Sequence, residues 1–144
     1  MNSIEQFARK NLRFNVTIGL IDAAFFGFGW GFSSFGTIIP LFVSQMTDSA
    51  ILIGLIPAIH AVGWQLPQLF TANQVSRLRR YKPMVLWMTI HERIPFLGLA
   101  LAAWLFPRFG AGLILPATFL LLIWQGLGSG FTANPWQSMI AKII

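Results

Sequence analysis

MVLWMTIHERIPFLGLALAAWLF, residues 84 to 106, is apolar over a length that matches a bilayer. A hydrocarbon core of about 30 Å is crossed by roughly 20 helical residues. Yet His91, Glu92 and Arg93 stand consecutively inside this stretch, and Pro95 follows them. Three further runs share its length and character. Val16 to Val43 holds a single charge, Asp22; Ile51 to Val75 holds His60 and no formal charge; Ala111 to Ala141 holds none. Membrane-barrel strands need only about 9 to 11 residues and alternate in polarity, so four spanning helices are expected. Composition agrees. The 144 residues are 56% hydrophobic and 10% charged, against about 25% charged in a typical soluble domain. Ten basic and four acidic residues cannot cover a soluble surface of this size. Without cysteine, disulfides and thiolate metal sites are excluded.

The net charge of +6 could suggest nucleic acid. The basic residues, however, fall in short clusters between apolar runs, a pattern that sets membrane orientation. Arg9, Lys10 and Arg13 precede the first run, Arg77, Arg79, Arg80 and Lys82 separate the second from the third, and Lys142 follows the fourth. With alternating helices all of these share one side, and the other side has only Arg108. Both ends are therefore expected in the cytoplasm. The first run is far longer than the h-region of a signal peptide, about 7 to 15 residues. Residues 1–14 place Ile4, Phe7, Ala8 and Leu12 on one helical face, an interfacial segment on the cytoplasmic leaflet. Asn15-Val16-Thr17 fits a glycosylation sequon, but at the cytoplasmic edge of a span the match is accidental. Thr47, Asp48 or Ser49 can cap the second helix, and Pro83 suits the first turn of the third. Short connections make the helices antiparallel neighbours.

Lipid is as apolar as leucine, so helices associate through close packing and hydrogen bonds. Gly19, Ala23, Gly27 and Gly31 recur every four residues, as do Ala50, Gly54 and Ala58, and Gly126, Gly130, Asn134 and Ser138. These stripes predict a tight all-α bundle. The GFGWGF segment is not a dinucleotide loop, because Phe32 stands where the last glycine is needed and no strand precedes it. Pro40, Pro57, Pro67, Pro95 and Pro135 free the carbonyls of Gly36, Ile53, Gly63, His91 and Phe131, which then need other partners.

Polar groups lie at depth. Glu92 is roughly 12 Å and Asp22 roughly 9 Å from the cytoplasmic ends of their runs, at 1.5 Å per residue. A charge exposed to lipid at mid-membrane costs at least about 2.5 to 3.5 kcal/mol, so these groups are expected to face the interior, pair, or line water. Asp22, Phe26, Gly29, Ser33 and Gly36 form one stripe, the face expected to meet a cavity. Successive helical residues turn by about 100°, so His91 and Arg93 point about 160° apart and cannot act together. Arg93 needs a carboxylate, with Glu92 and Asp22 as candidates; the triplet is either a coupling site or a structural ion pair. H-E-x-x-H zinc chemistry is absent, because Pro95 replaces the second histidine.

The order of these features resembles the major facilitator superfamily of secondary transporters over the whole chain. A glycine-rich first helix is followed by MTDSAILIGLIPAI, then by the basic loop ANQVSRLRRYKP, similar to a degenerate form of that family's signature loop. Arg77, Arg79, Arg80 and Lys82 are kept there; the glycines and the aspartate are not. WQGLGSGFTANPWQSMIAKII is similar to the family's fourth-helix glycine segment, with Leu122 where some proton-driven exporters carry arginine. The resemblance implies two six-helix halves, of which this chain would be the first four helices, inactive alone. It implies alternating-access transport of a small solute across the cell's inner (plasma) membrane, with room for a coupling proton and with lipid and the remaining helices as partners. It also implies that the first and fourth helices line the cavity, the third packing outside. Asp22, Phe26, Ser33, Gln125 and Asn134 are then the lining candidates, and the triplet drifts toward a structural role. The alternatives are a four-helix multidrug-type transporter working as a dimer, for which the charge bias is too strong, and a non-transporting subunit, against which the prolines and deep polar groups argue. No paired acid, nucleophile or metal set points to an enzyme, and no cofactor or nucleic acid is expected.

Overall fold

In the computed structural model, Gln6 and residues 10–143 are described, and every regular element among them is a helix. They are α1 (Leu12–Phe32), α2 (Ile38–Ser44), α3 (Ala50–Ser76), α4 (Lys82–Phe109) and α5 (Ala111–Ile143). Four of the five, all but α2, are long and apolar enough to cross a membrane. The protein is an all-α bundle of four candidate spans. Large apolar side chains face outward along all four: Phe25, Leu69, Trp104 and Leu120 are each more than two-thirds exposed, a surface suited to lipid. The interfacial face expected at Ile4, Phe7 and Ala8, together with Arg9, lies outside the described residues; Leu12, its fourth member, opens α1.

The first apolar run is not one helix. It breaks at 33–37 and resumes as α2. A helix running through would set the ring of Pro40 against the Gly36 carbonyl. The break instead puts Pro40 in the first turn of α2, where no amide is required. The Ser33 amide reaches the carbonyls of Gly29 and Trp30, each at 3.2 Å, and closes α1. The bend turns Phe35 inward, 5% exposed, beside Ile39 and Val43 of α2. With Ile56 and Leu122 they form a small core at the end of the bundle away from the 77–82 loop.

Caps fall close to the expected places. Ser49 caps α3, its Oγ accepting from the Leu52 amide at 3.4 Å. Pro83 sits in the first turn of α4. The third and fourth runs extend past their expected limits, since Pro107 and Arg108 remain helical and Gly110 alone joins α4 to α5. Gly110 has φ +70°, a left-handed conformation that a side chain resists, and its amide bonds the Phe106 carbonyl at 2.9 Å.

Helix α5 is the spine and packs against both α3 and α4. Its glycines make the closest approaches. A methyl on Gly63 would lie 2.8 Å from the Gly126 backbone, and one on Gly130 would lie 2.5 Å from the Gly63 carbonyl oxygen. A methyl on Gly128 would meet the His91 carbonyl oxygen at 2.7 Å. Two of the carbonyls freed by proline, those of Gly63 and His91, are thus each met by a glycine of α5. Of the expected stripes only Gly126-Gly130-Asn134 is used this way. Gly19, Gly27, Gly31 and Gly54 have open space around them, and no residue of α1 is buried.

Candidate functional site

A cavity of about 450 Å³ lies between α1, α3, α4 and α5. Asp22 and Glu92 each stand ten residues beyond the first residue of α1 and α4, so both sit about 15 Å along their helices, midway through a bilayer core. Asp22, Phe26 and Trp30 enter from α1, and His60 and Trp64 from α3. Thr89, Glu92 and Arg93 enter from α4, and Ser129, Thr132 and Trp136 from α5. A second space of about 330 Å³ adjoins it across Asp22 and Arg93 and reaches Ser33 and Phe96.

The triplet divides as helical geometry requires. Glu92 points inward and is only 7% exposed, bordered by the hydroxyls of Ser129 and Thr132. The Thr132 hydroxyl gives its single proton to the Gly128 carbonyl at 2.8 Å, and the Ser129 hydroxyl lies beside the Glu92 carboxylate. Arg93 reaches Asp22, with Nη2 to Oδ1 at 4.0 Å, and both side chains stay more than half exposed to the open space. His91 turns away from the cavity and sits between Trp87 and Trp124, at 5.7 and 6.2 Å between ring centres.

One end of the cavity meets an aromatic cluster. The His60 ring stacks on Phe35 at 4.0 Å and meets Trp30 edge-on at 5.1 Å, and Phe96 flanks Phe35 at 6.2 Å. His60 Nδ1 is 3.2 Å from Gln125 Oε1. Gln125 is fully buried and its Nε2 has no protein partner among the described residues. Turning the amide over would pair Nε2 and leave the oxygen bare, so one end of Gln125 is unpartnered in either orientation.

Of the residues expected to line a cavity, Asp22, Phe26 and Ser33 do so. Gln125 and Asn134 do not. Gln125 braces His60 from behind, and Asn134 ties α5 to α3 by donating to the Gln68 carbonyl at 2.8 Å and to Thr71 Oγ1 at 3.2 Å. Glu92 and Arg93 of α4, the span that the resemblance would place outside, line this space. Leu122, completely buried in the core, is not a lining residue. Arg77, Arg79, Arg80 and Lys82 are exposed in or beside the α3–α4 loop, and none of them lines the cavity. Lys142 Nζ lies 4.5 Å above the Tyr81 ring, so the end of α5 and this basic loop share one end of the bundle.

Trp30, Trp64, Trp136, Thr89, Ser129 and Thr132 were not anticipated at the site. The only signal for Ser129 and Thr132 was their spacing of three on α5, facing the α4 acid. Among the described residues no three His, Asp or Glu side chains gather closely enough to hold a metal ion. No protein-family model, curated protein or solved structure matches the chain.

Proposed function

We propose that these helices form part of a secondary active carrier that moves a small solute by alternating access, in the manner of the major facilitator superfamily. The observation that carries this reading is the cavity of about 450 Å³ holding Asp22, Glu92 and Arg93 at mid-depth in an otherwise apolar bundle. Charges at that depth are costly, and a static anchor has no use for them. A solute path does: it needs polar groups that face water in turn from each side. The prolines inside α3, α4 and α5 remove backbone hydrogen bonds and give points at which such a wall can flex. With no residue of α1 buried, its outer side leaves a face on which further helices of a carrier can pack.

In this reading the protein resides in the cell's inner (plasma) membrane, amino end in the cytoplasm, because the 77–82 loop and Lys142 lie at one end and Arg108 belongs to the opposite α4–α5 junction. The Asp22–Arg93 pair holds α1 to α4 across the cavity and is the contact that movement of α1 would break. The test is flux. The full-length protein is reconstituted in liposomes and screened for accumulation of labelled solutes under proton or sodium gradients. Gradient-dependent accumulation is expected, and its absence across a broad panel would remove the carrier assignment.

A further inference from the structure

We infer that the cavity binds an organic monocation, a single positive charge on an apolar or aromatic body, with Glu92 as its counter-ion. This deepens the carrier reading and rests on it for its transport meaning. The charges argue first. Arg93 is engaged with Asp22, at 4.0 Å. Arg93 also acts on Glu92, which is 7% exposed and set against α5, so one guanidinium is shared between two carboxylates. With both carboxylates ionised and His60 neutral, two carboxylates and one guanidinium leave the lining one negative charge in excess. An anionic ligand would face that excess. A neutral one would leave two carboxylates to share a single guanidinium, a costly arrangement at low dielectric. A zwitterion would bring a third carboxylate to the one guanidinium, which already lies beside Asp22.

The walls argue second. Trp30, Trp64 and Trp136, from three different helices, bring indole rings to the same space, and Phe26 adds a fourth ring. Indole faces attract cations through the ring quadrupole, and more strongly away from water. Tryptophans facing lipid would carry no such meaning, but these line the cavity that holds Glu92. The volume of about 450 Å³ falls within the range of pockets that enclose drug-sized molecules. A bare metal ion would find neither the ligand set nor the size it needs here, since no cluster of three ligating side chains occurs among the described residues.

The experiment compares two ions of one shape and opposite charge. Purified protein in detergent micelles is dialysed against radiolabelled tetraphenylphosphonium or tetraphenylborate, with empty micelles as background. Saturable binding of the cation and none of the anion is expected. Glu92→Gln should weaken cation binding at least about tenfold, the effect of losing a charged partner. Trp136→Leu should weaken it about threefold or more, the scale of a cation–π contact. Arg108→Gln, at the opposite end of α4, should leave it unchanged. Helical content and gel-filtration profile identify variants that fail to fold; should Glu92→Gln be one, Trp136→Leu carries the test. Equal binding of both ions, no saturable binding, or full affinity in well-folded Glu92→Gln and Trp136→Leu proteins would overturn the assignment. Solute accumulation in liposomes without cation binding would sink this inference and leave the carrier reading standing. Cation binding without any flux would do the reverse.

Discussion

Asp22 and Asn134 are both polar residues within apolar helices, and they do different work. Asp22 belongs to an exposed ion pair, which is worth at most about 1 kcal/mol to stability. Asp22→Asn should therefore lower the melting temperature in detergent only slightly. On the proposed carrier function, solute uptake should nevertheless fall about tenfold or more, as when a charge-assisted contact is lost. Unchanged uptake would remove Asp22 from the mechanism. Asn134 instead donates across α3 and α5. Asn134→Ala should cost about 0.6 to 1.7 kcal/mol of bundle stability, the measured range for interhelical hydrogen bonds in membranes. Reversible unfolding in mixed detergent checks this; no change would mean that water or lipid headgroups replace the bond. The depth of both residues was legible from their positions in the runs. Their separate roles were not, because one turn of a helix decides whether an amide meets a cavity or a neighbouring backbone.

Among the elements, the glycines of α5 and the prolines of α3 and α4 form one device. Proline removes an amide and leaves a carbonyl free; a glycine on the facing helix lets the two backbones close over it. Gly128→Ala would put a methyl 2.7 Å from the His91 carbonyl oxygen, and both backbones would have to part. A loss of about 1 to 3 kcal/mol is expected, the usual cost of overpacking. Gly54→Ala, with nothing near its Cβ, should be neutral or stabilising by a few tenths of a kcal/mol. Paired melting curves decide the matter; equal effects at the two positions would refute the device. The four-residue spacing of small residues was plain in three helices, yet it was used for close approach in only one of them. A small-residue stripe shows that close approach is allowed, while the partner must supply a matching surface. Gly63 belonged to no stripe and makes one of the tightest contacts, because Gly126 and Gly130 of α5 lie directly against its backbone.

For the whole molecule the testable quantity is topology. The chain has no cysteine, so single cysteines report without background. Asp48→Cys should react with a membrane-impermeant maleimide from outside intact cells, and Arg79→Cys only after permeabilisation. The opposite pattern would invert the orientation, and labelling of both from outside would remove the span between them. The break at 33–37 does not change this count, since α1 and α2 together occupy the place of one crossing.

The number of spans, their approximate limits, the clustering of basic residues and the depth of each charge follow from the sequence by itself. Those properties are one-dimensional: bilayer thickness converts directly into residues along a helix. Tertiary structure alone decided that α5 is the spine, that α1 is bound loosely, that Gln125 and Asn134 brace helices, and that Glu92 and Arg93 meet Asp22 across a tryptophan-lined cavity. Facing lipid and facing another helix are equally apolar environments, so hydrophobicity marks where a helix crosses but not which of its faces finds a partner.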